Sequence, residues 1–144
     1  MKGFLVDTSV LSQIAPGRVS DAAAQWFRDN DGSLYLPVVA LSEIRQGVAR
    51  LERMGASRKA ETLSLWFEET MAAFSDFLVP ISARIALEAG ALSDRANAIG
   101  KNPGYADILI AATALVSEMP VATRNLRHFK PLGIACLDPL SNVS

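Results

Sequence analysis

Phe4-Leu5-Val6-Asp7-Thr8-Ser9 is the segment that decides the fold. Three apolar, strand-forming residues run without a break and end abruptly in a carboxylate and two hydroxyls. A strand that is apolar throughout, with no alternation, is covered on both faces, as in parallel sheets. Further along, Ser33-Leu34-Tyr35-Leu36 follows the turn signal Asn30-Asp31-Gly32 and is expected to stop at Pro37, which cannot donate to a central ladder. Phe77-Leu78-Val79 before Pro80, Pro120-Val121-Ala122-Thr123, and Gly133-Ile134-Ala135-Cys136-Leu137 before Asp138-Pro139 supply three more strands.

Helical patterns lie between these strands. Leu41, Ile44, Val48 and Leu51 recur at spacings of three and four, the stripe of a helix packed on one side and beginning near Val38. Leu63, Trp66, Phe67 and Met71 repeat it, as do Ile85, Ala89 and Leu92, while Ala106 to Val116 is apolar nearly all round and is expected to be the most buried helix. Alternating strands and helices predict an α/β sandwich with a mostly parallel sheet. Right-handed crossovers in such a fold put the binding crevice at the carboxyl ends of the strands.

Length and composition narrow the functional classes. The 144 residues are half hydrophobic and one-fifth charged, and read as one domain spanning 1–144. A chain of this size buries about 70% of the surface its unfolded form exposes, so it needs neither disulfides nor a structural zinc. The single cysteine, Cys136, and the lack of a Cys/His cluster point to a reducing compartment. Met1-Lys2-Gly3-Phe4-Leu5-Val6 is too short an apolar run for a signal peptide, and no stretch approaches the ~20 residues a bilayer requires, so a cytoplasmic, non-membrane protein is expected. Fourteen Lys/Arg against fifteen Asp/Glu leave a net charge of −1, so any nucleic-acid contact must be local.

Four places carry candidate chemistry. Asp7 sits where the first strand meets the crevice, with Thr8 and Ser9 beside it to orient it; the same triplet also serves as ordinary turn and helix-start chemistry. Glu43 flanks the buried stripe of its helix, with Ser42 and Arg45 offering polar contacts, although an early helix glutamate is also favoured by the dipole alone. Asp107 interrupts Ala106-Asp107-Ile108-Leu109-Ile110-Ala111-Ala112-Thr113-Ala114, where a desolvated carboxylate must neutralise or find a cation unless it merely serves the helix start. At Val121-Ala122-Thr123-Arg124-Asn125 a strand breaks into a polar loop with neutral oxygens on Thr123 and Asn125 and positive charge on Arg124, Arg127 and Lys130; the only histidine, His128, reads as a polar loop residue. Arg45, Arg50, Arg53, Arg58 and Lys59 are read as one helical stretch, either a phosphate track or a solvated face.

If Asp7, Glu43 and Asp107 converge, two carboxylates about 5 Å apart repel by roughly 3 kcal/mol at an effective dielectric near 20. Protons or a divalent cation must absorb that repulsion. Oxygen ligands without Cys or His select Mg²⁺ or Mn²⁺ over zinc. Water acidified by such an ion is a nucleophile for phosphodiester hydrolysis.

Phe4-Leu5-Val6-Asp7-Thr8-Ser9-Val10-Leu11, Val39-Ala40-Leu41-Ser42-Glu43-Ile44-Arg45-Gln46-Gly47, Ala106 to Ala114, and Val121-Ala122-Thr123-Arg124-Asn125 with Phe129 resemble the four ordered motifs of PIN domains. Within that family they are most similar to the VapC-type toxins of toxin–antitoxin pairs, including the FitB-like branch. The resemblance implies a three-layer α/β/α sandwich around a five-stranded parallel sheet, a homodimer, and a Mg²⁺- or Mn²⁺-dependent endoribonuclease. It places the metal-binding and catalytic acids at Asp7, Glu43 and Asp107, with Asn125 as the fourth catalytic position. It also implies a cognate VapB-type antitoxin that inhibits the enzyme, an RNA substrate, and promoter DNA bound indirectly through the antitoxin. Asn125 stands where many members carry Asp, so one well-occupied ion is expected there and not two. Two other readings compete: a catalytically weak PIN domain serving as an antitoxin and nucleic-acid binding module, and a phosphatase using Asp7 as nucleophile. The second is disfavoured because Ser9 replaces the Asp such chemistry wants two residues on.

Overall fold

The structure, a computed structural model, describes residues 3–141; Met1 and Lys2 of the opening segment lie outside the described residues. Strand β1 (Phe4–Val6) leads through the one-turn helix α1 (Thr8–Leu11) to α2 (Asp21–Asp29), then β2 (Leu34–Pro37), α3 (Val38–Arg53), α4 (Ser57–Ala73) and β3 (Leu78–Val79). Helices α5 (Ala83–Ala98) and α6 (Tyr105–Ser117) precede β4 (Val121–Ala122), α7 (Leu126–Phe129) and β5 (Cys136–Leu137).

The strands form a five-stranded sheet in the order β3-β2-β1-β4-β5, and every neighbouring pair is parallel. The expected architecture is therefore found. β1 is central because its residues face two ways: Leu5 joins the core under α5 and α6, whereas Val6 joins the core with Val10, Leu36, Ile44 and Phe67. Both are fully buried, as an unalternating apolar strand requires. Gly3 admits β1 beside β2, because a Cβ at its positive φ would run into the carbonyl of Ser33. Helix α6 is apolar all round for the same reason that β1 is, with Ile108, Ile110, Ala111, Ala112, Thr113 and Ala114 all buried.

Some expected boundaries shift. Pro37 closes β2 from inside the strand, opposite Val79 at the terminal pair of the ladder. The last strand is shorter than its apolar run, because Gly133 at φ 74 caps a 3-10 turn and pairing begins only at Cys136. The basic segment from Arg45 to Lys59 is not one helix: α3 ends at Arg53 and α4 starts at Ser57, with Gly55 at φ 80 turning the chain between them. Its charges therefore lie on two helices. Among the described residues no helix is long and apolar enough to cross a membrane.

Strand order runs outward from β1 in one direction to β2 and β3, and in the other to β4 and β5. The carboxyl ends of β1 and β4 flank that reversal, where open parallel sheets form their crevice.

Candidate metal centre

Asp7 follows the last residue of β1, and its N–H is donated to the Ala122 carbonyl of β4 at 2.9 Å. It is the N-cap of α1 in backbone only. Its carbonyl accepts from Val10 and Leu11 at 3.0 and 3.1 Å, and its side chain makes no cap. That carboxylate is 4% exposed, and its Oδ2 accepts from Ser9 Oγ and from Thr123 Oγ1, both at 2.8 Å. Each hydroxyl is in turn oriented by the loop after β4: Ser9 Oγ accepts the Arg124 N–H and Thr123 Oγ1 accepts the Asn125 N–H, each at 2.9 Å. Two backbone amides are thereby relayed through two hydroxyls onto one carboxylate oxygen. Such acceptor-side bonding fixes a carboxylate in place.

Glu43 lies in the second turn of α3, half-buried as its place beside the stripe predicts. Thr8 Oγ1 donates to its Oε1 at 2.7 Å. The polar neighbours expected from sequence are engaged elsewhere, Ser42 with the Val39 carbonyl and Arg45 with Glu52. Asp107 is the third residue of α6 and does not cap that helix. Its Oδ2 lies 2.8 Å from Nδ1 of His128 on α7. The two atoms are close but not aligned as a hydrogen bond.

Burial raises the Glu43 carboxyl above its ordinary range, opposed by the Thr8 hydroxyl and reinforced by the charges of Asp7 and Asp107. Asp107 is likewise raised by burial, with His128 opposing and Asp7 reinforcing. The charge of Asp7 thus reaches both Glu43 and Asp107, and that of Asp107 reaches Glu43. Thr8, Ser9 and Thr123 each bond one of them, while Arg124 reaches the site through its backbone and gives its guanidinium Nε to Asp138 at 3.1 Å. Asn125 is half-buried at the start of α7 and joins through its backbone N–H alone.

His128 is the contributor that sequence reading placed in a polar loop. The available signal is its spacing: three residues after Asn125, it shares that residue's face on a helical turn.

The donor set fits a small, hard divalent cation. It consists of carboxylate oxygens whose mutual repulsion protein donors only partly offset. Among the described residues, no three His, Cys, Asp or Glu side chains are gathered tightly enough to form a ready-made direct-ligand cluster. Coordination partly through water suits this arrangement.

Acids at the switch point of a five-stranded parallel sheet define an α/β protein with a candidate cation site at its strand ends. Residues 4–133 match the PIN domain family, to which the chain belongs. It is 35% identical over 128 residues to Ribonuclease VapC10 of Mycobacterium tuberculosis, covering 88% of this chain and 85% of that protein. The crystal structure of FitAcB from Neisseria gonorrhoeae superposes with a TM-score of 0.80 at 27% identity, covering 94% of this chain and 97% of that one. A structure of FitAB bound to an IR36 DNA fragment matches with a TM-score of 0.79 at 28% identity, over 98% of this chain and 99% of that one.

Proposed function

We propose that this protein is the toxin of a type II toxin–antitoxin pair: a metal-dependent endoribonuclease that hydrolyses RNA phosphodiester bonds and is restrained by a cognate VapB-type antitoxin. The observation that carries this reading is the clamp on Asp7 at the carboxyl end of the central strand, with the Asp7 charge near enough to raise the carboxyls of both Glu43 and Asp107. Asp7, Glu43 and Asp107 are the residues that hold the ion, Mg²⁺ or Mn²⁺ by the hardness of an all-oxygen set. When bound, the ion supplies Lewis acidity toward water and a phosphate oxygen.

The chain's own residues do the rest. Ser9 and Thr123 fix Asp7 in one rotamer, Thr8 aims Glu43, and the backbone of Arg124 and Asn125 locks both hydroxyls. Asn125 brings an amide where a fourth acid would add charge, which favours one ion over two. The single domain spans 1–144, works in the cytoplasm as a homodimer, and meets promoter DNA through its antitoxin. The kinship with a named ribonuclease and with the FitAB–DNA complex supports both the activity and the partners.

The test is cleavage of total cellular RNA by protein freed of antitoxin. Cleavage is expected with Mg²⁺ or Mn²⁺, none in EDTA and none from Asp7→Asn. Undiminished cleavage in EDTA sinks the mechanism. Calorimetry that detects no Mn²⁺ binding, together with harmless expression in cells, assigns the protein instead to a binding role within the antitoxin complex.

A further inference from the structure

Beside the acidic crevice, a cavity of about 270 Å³ opens between the loop that enters α6 and the turn formed by α7. Its wall carries Lys101, Arg127 and His128, and no Asp or Glu lines it. His128 is shared: the same side chain touches Asp107 at 2.8 Å, so the cavity adjoins the proposed ion site.

Arg18, Arg58 and Lys59 line another cavity without an acid, so what sets this cluster apart is its place, sharing His128 with the proposed ion site. Arg124 is committed to Asp138 and Arg45 to Glu52. Among the described residues, Lys101 and Arg127 have no carboxylate partner, and both are exposed. A chain of net charge −1 with three acids in its crevice repels a polyanion unless positive charge stands close by. Here it does. The next residue from the cavity-lining Gly104 is Tyr105, 63% exposed at the start of α6. An accessible aromatic one residue along the chain from a cation-bearing wall offers the combination that single-stranded nucleic acid uses, base on ring and phosphate on cation.

We infer that this cavity is a phosphate subsite for a single-stranded segment of the RNA, flanking the nucleotide at the ion, with Tyr105 stacking on the adjoining base. The inference rests on the nuclease reading and adds to it where the substrate strand lies and that it is locally unpaired. A duplex would leave no free base face for Tyr105.

The experiment is fluorescence anisotropy of a fluorescein-labelled, randomised 16-nucleotide RNA across a salt series. It is run in EDTA so that binding is read without cleavage. Lys101→Ala and Arg127→Ala should each weaken binding and reduce the steepness of log affinity against log salt by about 0.7, the share of one single-strand phosphate. Tyr105→Ala should weaken binding at least about fivefold with the salt slope unchanged, and Tyr105→Phe should restore it. Arg28→Ala, which removes the same charge near the turn into β2, at the amino ends of the strands and away from the site, should change neither quantity.

Unchanged slopes in both Lys101→Ala and Arg127→Ala overturn the subsite. So does loss of antitoxin affinity with RNA affinity intact, which would make the cavity an anchor for a protein carboxylate. Mg²⁺-dependent cleavage by the unaltered protein is measured in parallel. Its absence, with the slope changes present, overturns the nuclease reading and leaves the phosphate subsite standing.

Discussion

Asp7 and Asp107 face one crevice but are held by opposite means. Asp7 is buried at the end of the central strand, and two hydroxyls, each locked by a backbone amide, converge on one of its oxygens. Asp107 stands partly exposed on the first turn of α6, steadied by one contact with a histidine from a four-residue helix. The Asp7 side is preorganised, because its partners are bonded before any ion arrives. The Asp107 side is adjustable. An ion that needs near-octahedral geometry is served by one rigid ligand and others able to move onto it.

Removing the Asp7 charge strikes the rigid half and should have the largest effect. Asp7→Asn is expected to lower RNA cleavage at least about 10³-fold, the upper end of what loss of one preorganised electrostatic group costs. Circular dichroism should report an intact fold. Residual cleavage within tenfold of the parent would mean that the ion is not held at the end of β1.

The hydroxyl relay comes next. Thr123→Val keeps the buried shape but leaves Asp7 one donor short and the Asn125 amide without its acceptor. Mn²⁺ affinity measured by calorimetry should fall toward 100-fold, the severe end for partners of a metal ligand, and Thr123→Ser should recover most of it. His128→Ala tests the other half and should cost about tenfold or less in the same titration, the mild end of that range. A larger loss from His128→Ala than from Thr123→Val would reverse the assignment of rigid and adjustable sides.

The same division explains what was legible in the sequence. Phe4-Leu5-Val6 reads as a covered central strand because burial on both faces leaves no polar alternation, and Asp7 is then conspicuous at its end. Asp107 is legible as a charge inside an apolar helix. His128 is not, because its partner is 21 positions away in the chain and nothing local distinguishes a loop histidine from one that meets a carboxylate across the crevice. Arg124 misleads in the converse way: its type suits a phosphate, yet Asp138, also distant in sequence, takes up part of its guanidinium. The break at Gly55 is not legible because the basic residues run on through it, while the left-handed turn depends on one residue.

The smallest expected effect is on stability, and here the two halves should differ in sign. Glu43 and Asp107 have carboxyls raised in the folded state above ordinary values of 4.5 and 3.8, so between the unfolded and folded values the native protein binds more protons than the unfolded chain. Stability contributed by these groups therefore falls as pH rises through that window, and the cost is fully present above it. In EDTA at neutral pH, Glu43→Gln and Asp107→Asn should each raise Tm, by less than about 1 kcal/mol equivalent because both sites are partly exposed and screened. The gain should vanish once pH drops below the ordinary carboxylate values. Asp7→Asn should instead lower Tm, since it weakens two charge-assisted hydrogen bonds. Adding Mn²⁺ at about 100 times its Kd should stabilise the parent by about 2.7 kcal/mol through mass action and erase the advantage of the two neutralised variants. A metal-free Tm that rises for Asp7→Asn as it does for Glu43→Gln would show that the hydroxyl clamp does not offset the charge it surrounds, and the crevice would then have no preorganised side.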